Sequence, residues 1–129
     1  MGTESGEGLP RRFLRAFLLL SLRREATSYG YELCETVKSL GLPVDLAAVY
    51  RTLRTMQQRG LVTSQWVGSV AGPDRRLYSL TGAGSDAARA AAAELAAARN
   101  GLTAALEHFQ AHQGSHADKG SAARQGSPA

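Results

Sequence analysis

The sequence predicts a mainly α-helical protein of the α+β class, with one small β-hairpin. Apolar residues recur every three to four positions in three segments before residue 60, which is the periodicity of helices that bury one face. Between residues 61 and 80, β-branched and aromatic residues flank a turn-forming segment, which is typical of a hairpin. Ten alanines between residues 83 and 98 then indicate a long final helix.

The first two helices are predicted within residues 9–24 and 26–43. Pro10 suits the first turn of the first helix, and Gly41 with Pro43 ends the second. One side of the first helix carries Leu9, Phe13, Leu14, Phe17, Leu18 and Ser21. The second helix is expected to bury Leu33, Val37 and Leu40, with Cys34 beside them.

The third helix has the clearest pattern, from an N-cap at Asp45 to a stop at Gly60. Its apolar face is formed by Leu46, Val49, Tyr50, Leu53 and Met56. The opposite face is small, polar and cationic, and carries Ala48, Arg51, Thr55, Gln58 and Arg59. Because only the short segment LGLPV separates the second and third helices, they are predicted to form a helix-turn-helix.

The hairpin follows directly, with strands LVTSQWV and RRLYSLT joined by GSVAGPD. A hairpin in this place converts a helix-turn-helix into a winged helix. Arg75 and Arg76 lie near the predicted tip of the wing, where they could reach a phosphate backbone or a minor groove. Trp66 is predicted to be core at the base of the wing, with a ligand-stacking surface as the alternative.

The last helix is predicted over residues 83–112, with Thr81 as its cap. Its large apolar residues lie along one side, and alanines continue that stripe towards its beginning. The winged helix has nothing left to cover the stripe, so a partner's copy of this helix or of the first helix is the expected cover. This predicts a homodimer with an interface of Phe13, Phe17, Leu95, Leu102, Leu106 and Phe109.

Four regions result from these predictions. Residues 9–82 form a winged helix-turn-helix DNA-binding domain and residues 83–112 a dimerisation helix. Residues 1–8 and 113–129 contain little that could pack, so both are expected to be disordered tails. No run of 18 apolar residues occurs and the N-terminal segment is acidic rather than basic, so we expect a cytoplasmic chain without a membrane span.

Positive charge is concentrated in the winged helix. Residues 11–80 hold eleven Lys or Arg and five Asp or Glu, a net charge of +6, against −2 for the rest of the chain. This predicts a polyanion, double-stranded DNA, as the partner. The expected contacts are Ala48, Arg51 and Thr55 from the third helix and Arg75 and Arg76 from the wing. The fork of Arg51 on guanine N7 and O6 would be the strongest base contact.

Three tyrosines leave two interpretations open. Tyr50 borders the apolar face, so its ring is expected to pack while its hydroxyl reaches a phosphate. Tyr29 and Tyr31 begin the second helix, where a helix N-terminus near the DNA backbone can bind phosphate, or they pack. Tyr50 and Tyr29 therefore join the candidate DNA contacts.

No motif points to catalysis. The chain lacks a Gly-rich phosphate loop, paired catalytic carboxylates and a Ser/His or Cys/His constellation, so we expect neither an enzyme nor a cofactor. The single cysteine, Cys34, is predicted to be a small buried apolar residue rather than a redox sensor. His108, His112 and His116 are spaced by four, but no Cys or carboxylate completes a ligand set, so no metal is expected.

Four segments together resemble the PadR family of transcriptional regulators, over roughly residues 12–110. They are LLLSL at 18–22, GYEL at 30–33, AVYRTLRTMQQRGL at 48–61 and GPDRRLYSLTGAG at 72–84. Each segment is weak alone, but all four occur in the family's order and spacing. Tyr29, Asp45 and Arg51 replace the family's common His, Ser and Pro, which affects the expected operator sequence rather than the fold.

The resemblance implies a dimeric repressor that a small molecule releases from DNA. The single C-terminal helix resembles the short-tailed branch of the family, which dimerises through that helix packed with the first helix. Two-fold symmetry predicts a palindromic operator with half-sites about one helical turn apart. The alternative is a winged-helix module for protein interaction or DNA architecture, without a specific operator.

Overall fold

A computed structural model describes the backbone of residues 8–68 and 71–117 and the side chains of residues 8–68 and 71–111. A short 3-10 helix (Arg11–Phe13) leads into α1 (Leu14–Glu25), and β1 (Thr27–Tyr29), α2 (Gly30–Ser39) and α3 (Leu46–Gln58) follow. The wing consists of β2 (Val62–Val67) and β3 (Arg75–Leu80), and α4 (Gly82–Ala117) completes the fold. The predicted mainly α fold with a small antiparallel sheet is confirmed.

The chain divides into two compact units, Met1–Ala92 and Ala93–Ala129, and the division falls within α4. The core of the first unit contains large side chains from α1, α2, the α2–α3 connection, α3 and β2 that are almost fully buried. They are Leu18, Leu19, Leu22, Leu33, Val37, Leu42, Val49, Leu53, Met56 and Val62. Ala88 and Ala91 of α4 are buried in the same unit, so small residues let this helix pack closely.

The sheet has three strands rather than the predicted two. β1 pairs antiparallel with β3, which also pairs with β2, so the strand order is β1-β3-β2. The added strand is only three residues long, which is too short for an alternating pattern to be recognised in the sequence. Tyr29 consequently ends β1 and is also the N-cap residue of α2, the helix that it was predicted to begin.

The tight connection between α2 and α3 buries Leu42, which was not predicted, instead of the predicted Leu40. The backbone reverses at Gly41 with φ +99°, and the N–H of Leu42 then donates to the carbonyl oxygen of Val37 at 3.2 Å. This brings Leu42 into the core, whereas Leu40 at the end of α2 is exposed. At the start of α3, the carboxylate of Asp45 accepts from the Ala48 N–H at 2.8 Å, which confirms the predicted N-cap.

Thr81 caps α4 as predicted, since its hydroxyl oxygen accepts from the Gly84 N–H at 2.9 Å. The same hydroxyl donates to the carbonyl oxygen of Gly60 at 2.6 Å and so ties the start of α4 to the end of α3. α4 continues to Ala117 through Gly114, so the predicted end at His112 is wrong. A glycine costs a helix only about 1 kcal/mol relative to alanine, which is too little to end it.

The predicted disorder of the tails concerns residues that mostly lie outside the described part of the chain, namely 1–7 and 118–129. In the part that the structure describes, no helix combines the length and the apolar character needed to cross a membrane.

Candidate nucleic-acid interface

The outer face of α3 is exposed and cationic. It carries Arg51, Arg54, Thr55, Gln58 and Arg59, all of them exposed. The hydroxyl of Thr55 donates to the carbonyl oxygen of Arg51 at 3.2 Å, which leaves the hydroxyl oxygen free to accept from a ligand. Two of the predicted contacts, Arg51 and Thr55, therefore lie where a ligand can reach them.

Ala48 does not lie on this face, and its predicted role as a DNA contact is wrong. Its side chain is only 5% exposed, in the same stripe as Val49 and Met56. The sequence prediction centred the buried stripe too close to Leu46 and Tyr50, which are the large apolar residues at one edge of it and remain partly exposed. The buried stripe is rotated towards Ala48, whose methyl group cannot reach a ligand.

Tyr50 is both packed and accessible. Its side chain is 38% exposed, yet one face of its ring lies directly on Gly30 at the start of α2. A Cβ atom at position 30 would lie 2.6 Å from the ring atom Cζ and 2.8 Å from the hydroxyl oxygen, so any larger residue there would displace the ring. Gly30 of the GYEL segment thus gives the ring of Tyr50 room to pack against the start of α2. Contact of the Tyr50 hydroxyl with phosphate remains a prediction.

Tyr29 lies where the sheet meets α2. Its backbone N–H donates to Oε1 of Glu32 at 3.4 Å, and the guanidinium of Arg75 stacks over its ring, 4.0 Å from the ring centre. Tyr29 and Arg75, which were predicted separately as DNA contacts, therefore form one unit on the surface. Tyr31, in the first turn of α2, is exposed.

The two arginines of the wing lie at the start of β3, in the two strand pairs nearest the turn, so they are near the tip as predicted. Arg75 pairs with Val67 and Arg76 with Trp66 in the β2–β3 register. Trp66 is 63% exposed, so the prediction that it is core is wrong. The core end of the hairpin is the Val62–Leu80 pair, and Trp66 lies four residues farther out, where its neighbour is the guanidinium of Arg76, 4.9 Å from its ring centre.

Together, α3 and the wing enclose a cleft of about 470 Å³, hereafter the α3–wing cleft. Its lining residues are Tyr50, Arg54, Trp66, Asp74, Arg75, Arg76 and Tyr78. Three of these residues are arginines and only one carries a carboxylate, so the cleft is cationic. Arg54 was not singled out from the sequence, although its position four residues after Tyr50 places both on one side of α3.

The second unit contains the predicted dimerisation stripe. Leu102, Leu106 and Phe109 are 66%, 57% and 55% exposed, and Leu95 is half-buried. In the first unit, Phe13 and Phe17 are half-buried and their rings stack in parallel at 6.3 Å. Exposed leucine and phenylalanine at this spacing are typical of a surface that a partner covers.

Cys34 is buried, and burial raises the pKa of its thiol while the nearby Lys38 acts in the opposite direction. A thiol with a raised pKa is a poor nucleophile, in keeping with a packing role. Among the residues that the structure describes, no three His, Cys, Asp or Glu side chains are grouped as metal ligands. The side chains of His112 and His116 lie outside those residues.

A helix-turn-helix followed by a two-stranded wing and a long helix defines a winged-helix protein, here with a cationic recognition surface. The sequence signature of the transcriptional regulator PadR-like family matches residues 18–90, which is more than half of the chain. The chain therefore belongs to the PadR-like family of transcriptional regulators, whose members bind DNA. A search of curated proteins gives no significant match to an individual protein.

Solved structures agree with this assignment. A PadR family transcriptional regulator from Eggerthella lenta DSM 2243 is 29% identical, with a TM-score of 0.61 over 75% of this chain and 85% of that one. A PadR-like transcription factor from Bacteroides fragilis is 27% identical, with a TM-score of 0.58 over 77% and 91% of the two chains. A PadR-like regulator from Bacillus cereus strain ATCC 14579 shares the fold at 24% identity, with a TM-score of 0.65 over 74% and 92%.

Proposed function

We propose that this protein is a homodimeric, sequence-specific repressor that binds a palindromic operator and is released from it by a small molecule. The observation that carries the proposal is the continuous cationic surface formed by the outer face of α3 and the neighbouring wing. Arg51 and Thr55 are exposed on α3 for base contacts, and Arg75 and Arg76 lie on β3 for contacts to the DNA backbone or minor groove.

Charge supports a nucleic-acid partner. The net charge of +6 in residues 11–80 lies in the segment that folds into the helix-turn-helix and wing, while the remainder of the chain is at −2. Phosphate contacts made by such a surface release counterions, so binding must weaken steeply as salt is raised. A protein-interaction module that no longer binds DNA would show no such salt dependence.

Two-fold symmetry of the proposed dimer is the reason for proposing a palindromic operator. The exposed stripe of Leu102, Leu106 and Phe109 requires a cover, and a second copy of the same helix has the matching repeat. A two-fold dimer presents two α3 helices to DNA, which sets half-sites about one helical turn apart. Phe13 and Phe17 remain predicted members of the interface. Repression and release by a ligand are carried over from the family resemblance.

We expect Arg51→Ala to weaken binding to the operator by about 1–3 kcal/mol, which is roughly 5- to 150-fold, and to weaken binding to random DNA much less. The reason is that a fork on a base edge distinguishes sequences, whereas a phosphate contact does not. The measurement is fluorescence anisotropy with an operator duplex, identified by selecting bound genomic fragments, and with a scrambled duplex of equal length.

Arg89→Ala is the matched control, because it removes the same charge from an exposed position on α4 that lies on a different side of the helix from the leucine stripe. It should leave both affinities near those of the unmodified protein. Equal losses on operator and scrambled DNA for Arg51→Ala would show that Arg51 contacts phosphate only.

A further inference from the structure

The α3–wing cleft contains an arginine with an unmet hydrogen bond. Nε of Arg76 is buried and has no acceptor within the residues that the structure describes. A buried donor without an acceptor is unfavourable, and more so on a charged group. Stacking of the guanidinium on Trp66 holds the side chain in the cleft but supplies no acceptor. An anion entering the cleft would therefore stabilise Arg76 by supplying that acceptor as the side chain adjusts.

The rest of the lining also favours an anion. The lining residues include Arg54 from α3 and Arg75 and Arg76 from β3, so two elements contribute arginines to one cleft. Asp74 is the only carboxylate in the lining, and no carboxylate of the described residues lies within ion-pair distance of these three arginines. Arginines that lack an ion-pair partner suit a phosphate, because each guanidinium fork can form two parallel hydrogen bonds to its oxygens.

We propose that the α3–wing cleft binds one backbone phosphate of duplex DNA, held jointly by Arg54 of α3 and Arg76 of β3. The proposal rests on the proposed function, since it assumes that this surface faces DNA. DNA is favoured as the source of the phosphate because the cleft opens between the recognition helix and the wing. One phosphate held from both sides fixes the position of the wing relative to α3 on the duplex, independently of the base sequence.

Trp66 makes this site directly observable. It is the only tryptophan of the chain, it lines the cleft, and its ring carries the guanidinium of Arg76. Titration with a 20-base-pair random duplex at low salt should change Trp66 emission as Arg76 moves from the ring to the phosphate. Arg54→Gln and Arg76→Gln should each weaken binding about tenfold and lower the slope of log affinity against log salt by about 1.

The losses of affinity caused by the Arg54→Gln and Arg76→Gln substitutions should not add. If both arginines hold the same phosphate, the double variant loses little more than either single variant, and the double-mutant cycle shows strong coupling. Arg51→Gln is the matched control, because Arg51 is exposed on the same helix but does not line the cleft. Its effect should add to that of Arg76→Gln, and it should leave the Trp66 response to saturating DNA intact.

Arg76→Lys is a second variant at this position, because it keeps the positive charge but removes the forked guanidinium. Thermal unfolding confirms that each variant is folded. Two results would overturn the shared phosphate and leave the proposed function intact. The first is that the losses of affinity in Arg54→Gln and Arg76→Gln add. The second is that Trp66 emission stays constant while anisotropy reports binding. No binding of the duplex at any salt would overturn both. In that case a separate titration with pyrophosphate that changes Trp66 emission in an Arg54- and Arg76-dependent manner would identify a free phosphate compound as the ligand.

Discussion

Gly84→Ala should lower the free energy of unfolding by about 1–3 kcal/mol, although alanine favours a helix by about 1 kcal/mol over glycine. At this position an added Cβ would overlap the carbonyl oxygen of Leu61 and lie 2.9 Å from its carbonyl carbon and 3.1 Å from Cδ2 of Leu80. The Leu61 carbonyl is backbone that already accepts from the Thr81 N–H at 3.0 Å, so it cannot move aside without breaking that bond. Steric overlap therefore outweighs helix propensity.

Gly101→Ala on the same helix is the matched control. No atom lies within 4 Å of a Cβ built there, so only propensity acts, and we expect stabilisation by up to about 1 kcal/mol. Urea unfolding followed by circular dichroism measures both variants. Stabilisation by Gly84→Ala would contradict the close approach of α4 to Leu61 and would remove the main constraint on where α4 begins.

Leu102→Asp should raise the dissociation constant of the dimer at least about a hundredfold, equivalent to about 2.7 kcal/mol. Leu102 is the most exposed of the large apolar residues in the stripe, and a symmetric interface would bury two unpaired carboxylates at once. Sedimentation velocity at micromolar concentration should show a dimer for the unmodified protein and a monomer for the variant. Operator binding should fall with dimerisation, because each half-site then binds alone.

Ala104→Asp introduces the same charge on the opposite side of α4, at an exposed position. It should leave the dimer unchanged. A Leu102→Asp variant that still sediments as a dimer would place the interface elsewhere on the molecule.

Much of the fold could be predicted because local signals agreed with one another. The existence of helix α3, its N-cap at Asp45 and the Thr81 cap of α4 are each decided within a few residues, and the structure confirms all three. The hairpin was also recognisable, because its strands consist of β-branched and aromatic residues around a turn segment. These elements need no knowledge of what packs against them.

The wrong predictions concern residues whose burial depends on contacts with segments distant in the sequence. Ala48 is buried because the elements that pack against α3 decide which of its faces is buried. The apolar repeat alone fixes the centre of that face only to within about one residue. Trp66 is exposed because the pairing of β2 with β3 places it beyond the core. The residue types of the two strands do not determine how the strands pair, so this position could not be predicted. The cleft and the role proposed for Arg54 arise only when α3 and the wing are brought together.

The measurement that tests the central claim most directly is a selection of genomic DNA fragments by the purified protein, sequenced after binding at low and at moderate salt. The account predicts that fragments retained at moderate salt share an inverted repeat, with half-site centres about 10 base pairs apart, one helical turn of DNA. Fragments retained only at low salt, without a shared motif, would contradict sequence-specific binding and leave a protein that recognises DNA by charge alone.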